Sequence, residues 1–150
     1  MAPNAYLRLK GAKHGDVAGS VTQKGRESSI MVIAFNHEVS APPTQKPQHT
    51  PVIITKELDK SSPVLMDMLL ANEIITGWEL RFWRPARSGQ EEQYYTIQLK
   101  NATIIDIRQE MLNNKVPENG PYAPWEHVAF RYEKITWTWE PDHLVAEGHW

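Results

Sequence analysis

Only one stretch of this chain can start a helix, and almost everything around it is patterned for strands. Ser62-Pro63-Val64-Leu65 offers a cap at Ser62 and a proline at the first helical position, where the missing N–H costs nothing. Val64, Leu65, Met68 and Leu69 follow at helical spacing, so the pattern predicts one helix over about residues 62-72. Just before it, Val52-Ile53-Ile54-Thr55 is β-branched and reads as a short strand. Between the two lies a dense charged turn, Lys56-Glu57-Leu58-Asp59-Lys60. A lone helix set among strands restricts the chain to mainly-β architectures.

Elsewhere alternation with a period of two dominates. Tyr6 to Lys10 is a first strand, ended by Gly11, and residues 11–29 are a glycine-dotted loop with room for a short hairpin. Ile30 to Val39 reads as a long strand that starts buried. Between Ile74 and Trp83, Trp78, Leu80 and Phe82 share one side, while Glu79, Arg81 and Trp83 share the other. Gln93 to Leu99 returns as the hairpin partner, and a strand continues through Ile104, Ile105 and Ile107. In His127 to Glu140 the apolar parity moves from Val128, Phe130 and Tyr132 to Ile135, Trp137 and Trp139. Such a shift indicates a bulge near Glu133-Lys134, or a strand whose two ends serve different sheets. About seven strands and one helix indicate a β-sandwich or a small closed β-barrel, and closure would remove exposed strand edges. Residues 40–51 contain Pro42, Pro43, Pro47 and Pro51, which stiffen a long extended loop. That loop is either a solvated connector or an arm that packs on a neighbouring subunit.

Composition narrows the chemistry. A chain of 150 residues can bury a core within one domain, and a formal net charge of -2 gives no general basic face for nucleic acid. The absence of cysteine rules out disulfides, thiolate metal sites and a cysteine nucleophile. The segment from Met1 to Arg8 lacks the apolar core of a signal peptide, and no apolar run is long enough to span a bilayer. The expected product is cytoplasmic unless a signal-independent machine exports it.

None of the histidines (His14, His37, His49, His127, His143, His149) has a recognisable ligand spacing. Glu91-Glu92, Glu140 and Asp142 read as solvated turn charges, and Ser61-Ser62 is explained by capping. No catalytic, metal-binding or cofactor-binding residue is expected. Trp83 and Tyr94 have the opposite parity to their core neighbours, so on a closed barrel they point outward as a contact surface. One alternative is a stand-alone ligand-binding barrel with Trp78, Phe82, Trp137 and Trp139 around a cavity. Another is a secreted effector or a glycan hydrolase using a carboxylate pair, for which no motif is present. The charged turn either fixes the approach to the helix locally or matches charges on a partner subunit.

The segment Ile53 to Leu65 resembles a signature of the haemolysin-coregulated proteins (Hcp), the tube subunits of bacterial type VI secretion systems. In that signature a threonine-containing strand leads through a lysine-leucine-aspartate-lysine turn into Ser-Ser-Pro-x-Leu. Trp83-Arg84-Pro85, Tyr94 to Ala102 and Tyr132 to Trp137 are similar to later blocks of the same family. One departure is Arg26-Glu27-Ser28-Ser29, where many members place an aromatic and charged residues. The resemblance implies one β-barrel domain over residues 1-150, with no fused toxin domain. It implies a non-enzymatic homohexameric ring that stacks head-to-tail into a tube. The implied partners are a VgrG-type spike protein, contractile sheath proteins and small effector cargo, with no nucleic acid and no membrane insertion. The candidate subunit and ring interface comprises Pro42, Pro43, Gln45, Lys46, Pro47, His49, Lys56, Glu57, Asp59, Lys60, Trp83 and Tyr94.

Overall fold

The chain folds as two sheets that hand strands to one another, as seen in a computed structural model that describes residues 4–150. The first three residues, Met1 to Pro3, which open the segment read above for a leader, lie outside the described residues. The early strands are β1 (Asn4–Gly11), β2 (Gly15–Asp16), β3 (Ile30–Val32), β4 (Ala34–Asn36), β5 (Val39–Ser40), β6 (Gln48–His49) and β7 (Val52–Glu57). After the helix α1 (Ser62–Leu70) come β8 (Ile75–Pro85), β9 (Glu91–Lys100) and β10 (Thr103–Glu110). A 3₁₀ turn at Pro117–Asn119 precedes β11 (Trp125–Arg131), β12 (Lys134–Trp139) and β13 (Leu144–His149).

One sheet of seven strands runs β13-β12-β9-β8-β1-β2, with β3 also on β1, and a second of four strands runs β10-β11-β7-β4. The short β5–β6 ladder stands apart. No closed barrel is found among the described residues, because the chain turns from one sheet into the other instead of continuing a single ladder. Asn101, held at a φ of 51°, separates β9 from β10, and Glu133 separates β11 from β12. The parity shift in residues 127–140 therefore marks a strand whose two ends belong to different sheets. The stretch from Ile30 to Asn36 does the same: Ile30 pairs with Leu7, Ala34 pairs with Thr55, and the Ile33 N–H between them donates to the Thr55 carbonyl at 2.8 Å.

Between the sheets, inward side chains form one core that includes Leu7, Ile30, Ile54, Leu80, Ile97 and Phe130. Helix α1 packs on β10 and adds Leu65 and Met68. Fully burying side chains of this size contributes about 1.5–3 kcal/mol each. The helix starts one residue earlier than its sequence suggests: Ser61 occupies the cap position, and Ser62 is already helical and turned inward. Asn72, at a φ of 50°, follows the helix and reverses the chain toward β8.

Candidate assembly interface

The residues singled out from sequence do not gather into one patch; the folded chain distributes them over three places. The first is the loop of residues 40–51, which is a small arm and not a featureless connector. Its legs, β5 and β6, pair Val39 with His49 and Ser40 with Gln48. At the tip Thr44 takes a φ of 61°, and the Gln45 N–H donates to the Pro42 carbonyl at 3.2 Å. Pro43, Gln45, Lys46 and Pro47 are exposed, and Pro42 is half-buried. His49 turns back toward the body of the subunit, where its Nδ1 lies 2.8 Å from the Tyr132 hydroxyl.

The second place is the charged turn, at the opposite end of β7 from the arm. Alternation along β7 directs Val52, Ile54 and Lys56 inward, and Ile53, Thr55 and Glu57 outward. Lys56 is completely buried and lies opposite Glu126 of β11, which is buried as well. Its ammonium donates to the Glu126 carboxylate, to Ser62 Oγ at 3.1 Å and to the Glu57 carbonyl at 2.9 Å. The same ammonium lies 3.1 Å from Asp59 Oδ1. Ser62 Oγ donates to Glu126 at 2.6 Å, and Gln109 Nε2 reaches the other Glu126 oxygen at 3.1 Å. Burial alone would raise the Asp59 carboxyl, but hydrogen bonds from Ser61 and the Lys56 charge hold it below the usual carboxylate range. Lys56 and Asp59 therefore bond within the subunit, while Glu57 and Lys60 face solvent.

The third place is the end of the β8–β9 hairpin. Trp83 and Tyr94 are half-buried, and each is covered by an arginine of the same chain. The Arg26 guanidinium lies 4.1 Å from the Trp83 ring centroid and pairs with Glu91 at 2.9 Å. Arg84 lies 4.6 Å from the Tyr94 ring and pairs with Glu92 at 3.0 Å. Glu91 and Glu92 are thus partnered charges, where the sequence suggested solvated ones. Likewise Glu140 accepts a hydrogen bond from Thr96 at 2.7 Å.

The aromatics considered as a cavity lining do not surround one space. Trp78 packs edge-on against Phe130 at 5.4 Å, Phe82 lies against Phe35 at 5.8 Å, and Trp139 lies beside Tyr94 at 6.0 Å. Among the described residues no group of three His, Cys, Asp or Glu side chains could hold a metal ion. No described helix is long and apolar enough to cross a membrane.

Sequence reading missed a run of exposed apolar side chains. Along the strand shared by the two sheets, Met31, Ile33 and Phe35 are 42%, 50% and 37% exposed, and neighbouring Ile53 is 36% exposed. The signal was present, since a strand apolar on both faces cannot bury both against one core. Open hollows of about 550 and 530 Å³ flank this strip: Leu58 and Val21 help line one, and Thr55, His127 and Ala129 the other.

The family model described as "Type VI secretion system effector, Hcp" matches residues 6–139. A curated relative, "Major exported protein" of Pseudomonas aeruginosa, is 38% identical, with 100% of this chain and 96% of that protein covered. The solved structure "Secreted protein Hcp3 from Pseudomonas aeruginosa" is 35% identical and superposes with a TM-score of 0.85 over 99% of both chains. Another, "Crystal structure of Hcp protein", is 25% identical with a TM-score of 0.91, covering 99% of this chain and 98% of that one. With a matching fold over its described length and a family signature spanning nearly all of its sequence, the chain belongs to the Hcp family of type VI secretion proteins.

Proposed function

We propose that this chain is a non-enzymatic structural subunit of the type VI secretion inner tube, one domain that assembles as a homohexameric ring. Rings stack head-to-tail, carry small effectors in the lumen, and work with a VgrG-type spike and contractile sheath proteins. The subunit waits in the cytoplasm and is then exported; the name of the relative, "Major exported protein", supports export.

The observation that carries this reading is the run of exposed apolar side chains Met31, Ile33 and Phe35 along the strand shared by the two sheets. A monomer that kept these side chains in water would lose the stabilisation available from covering them. A ring covers them by a heterologous contact, in which the strip of one subunit meets a different face of the next. The exposed arm residues Pro43, Gln45, Lys46 and Pro47 serve a second contact, between rings, together with Pro42, Glu57 and Lys60. Native mass spectrometry and negative-stain imaging test the proposal. Six-subunit rings are expected, and a chain that stays strictly monomeric at high concentration overturns it.

A further inference from the structure

The β5–β6 arm pairs with neither sheet, and two residue pairs are too few to hold a ladder in one pose. Its legs close on each other, the Thr50 N–H donating to the Glu38 carbonyl and the Glu38 N–H to Thr50 Oγ1, each at 3.0 Å. A single atom of the subunit body then holds both legs. His37 Nε2, just before β5, is 2.7 Å from Tyr132 Oη, and His49 Nδ1, in β6, is 2.8 Å from it. The same hydroxyl donates to the Thr50 carbonyl at 3.3 Å. A phenol oxygen has one proton to give and two lone pairs, so with its proton on Thr50 it accepts from both imidazoles and is saturated. Among the described residues, every side-chain hydrogen bond between the arm and the body ends on this oxygen.

Tyr132 is buried where the chain crosses between the sheets, in the gap between β11 and β12. The Trp150 N–H donates to the carbonyl of the adjacent Glu133 at 3.1 Å, and the Trp150 ring lies edge-on to Tyr132 at 5.0 Å and stacked with His49 at 6.3 Å. Trp137 flanks His37 at 6.2 Å. The His49 imidazole rests directly on β13: a Cβ at Gly148 would come within 2.9 Å of His49 Cε1 and 3.3 Å of Trp137. Gly148 does not take a positive φ, so its missing side chain provides space and not backbone freedom. We propose that Tyr132 and Gly148 are positioning residues for assembly, forming a seat that aims the arm and presents its exposed tip in one direction before a neighbour arrives. The purpose of the seat rests on the reading of the arm as a contact between rings. A loose arm must be ordered when contact is made, and ordering even one residue costs about tenfold in an association constant. A seated arm is ordered during folding instead.

Two variants disturb the seat by unrelated chemistry. Tyr132→Phe removes one oxygen and keeps the ring, whereas Gly148→Ala adds one methyl under His49 and keeps every hydrogen-bonding group. In hydrogen exchange on the intact protein, both should exchange the amides of residues 38–50 about tenfold faster than the wild type, while β8 and β9 stay unchanged. Six-subunit rings should persist in native mass spectra, and stacks of rings in negative-stain images should need about tenfold more protein. Arm amides that exchange at the wild-type rate in both variants overturn the proposal. So do loosened arms whose rings stack at the wild-type concentration, the result expected if the two residues matter only for folding. If Tyr132→Phe does not fold, Gly148→Ala decides alone by the same two readouts. A wild-type chain that forms no stacks, with arms loosened in the variants, leaves the seat standing and removes the ring-stacking reading.

Discussion

Lys56 and Glu126 are adjacent across a ladder, enclosed by the core, and tied to Ser62, Asp59 and Gln109. Removing two charges from water is costly, and their attraction offsets that cost only while both are present. Lys56→Met alone strands the Glu126 carboxylate and is expected to lower stability by roughly 3–5 kcal/mol in a urea titration. Adding Glu126→Gln should recover most of the loss, because the amide keeps an acceptor for Ser62 without a buried charge. A second prediction concerns His14, whose ring bridges Glu73 at 2.6 Å and Asp67 at 3.0 Å. The Glu73 hydrogen bond raises the imidazole above its ordinary 6.5. A raised histidine stabilises most below its unfolded value, and the contribution fades as pH rises through the raised one. Denaturant midpoints measured from about pH 5 to about pH 9 should show this alkaline decline in the wild type, and His14→Gln should remove it. The inward position of Lys56 was legible: ending the strand at Thr55 hid it, whereas alternation from Val52 and Ile54 carried two residues further places it in the core. Its partner was not legible, because only the pairing of β7 with β11 sets Glu126 opposite. Asp67 and Glu73 were equally hidden, lying far from His14 along the chain.

Elements with a strong local signature were readable. The helix was visible from its proline and stripe, and the change of parity within residues 127–140 left a bulge or a strand serving two sheets, of which the fold has the second. The final strand β13 was not read, because Leu144, Val145, Ala146 and Glu147 are all exposed and show no alternation. It exists because β12 supplies a ladder for it, pairing Trp137 with Ala146. The arm was legible as an extended, proline-rich segment, but its anchoring was not, since Tyr132 is distant in sequence. Shortening the arm by deleting residues 43–46 removes exposed chain and leaves His37, His49 and Thr50 in place. The urea midpoint should change little while stacks of rings disappear from negative-stain images. Normal stacks from a chain that unfolds more readily would show instead that the arm acts only within its own subunit.

For the whole molecule, the pattern of strands left a β-sandwich and a closed barrel both open, and it did not show how the chain crosses between sheets. That depends on backbone turns such as Asn101, and on pairings that alternation alone cannot rank. The apolar strip emerges only at this scale, once the core is seen to be complete without Met31, Ile33 and Phe35. Met31→Glu with Ile33→Glu should leave the thermal transition close to that of the wild type, because both side chains already meet water, and yet shift native mass spectra from rings to monomers. Like charges meeting apolar surface at every subunit contact would oppose closure of the ring. The strand that carries the strip has one more consequence, and it is mechanical. Since its first half is laced to β1 and its second half to β7, a neighbour gripping Ile33 or Phe35 takes hold of both sheets at once. Thrust entering through that grip would divide between two ladders instead of peeling one edge, which would suit the proposed tube subunit.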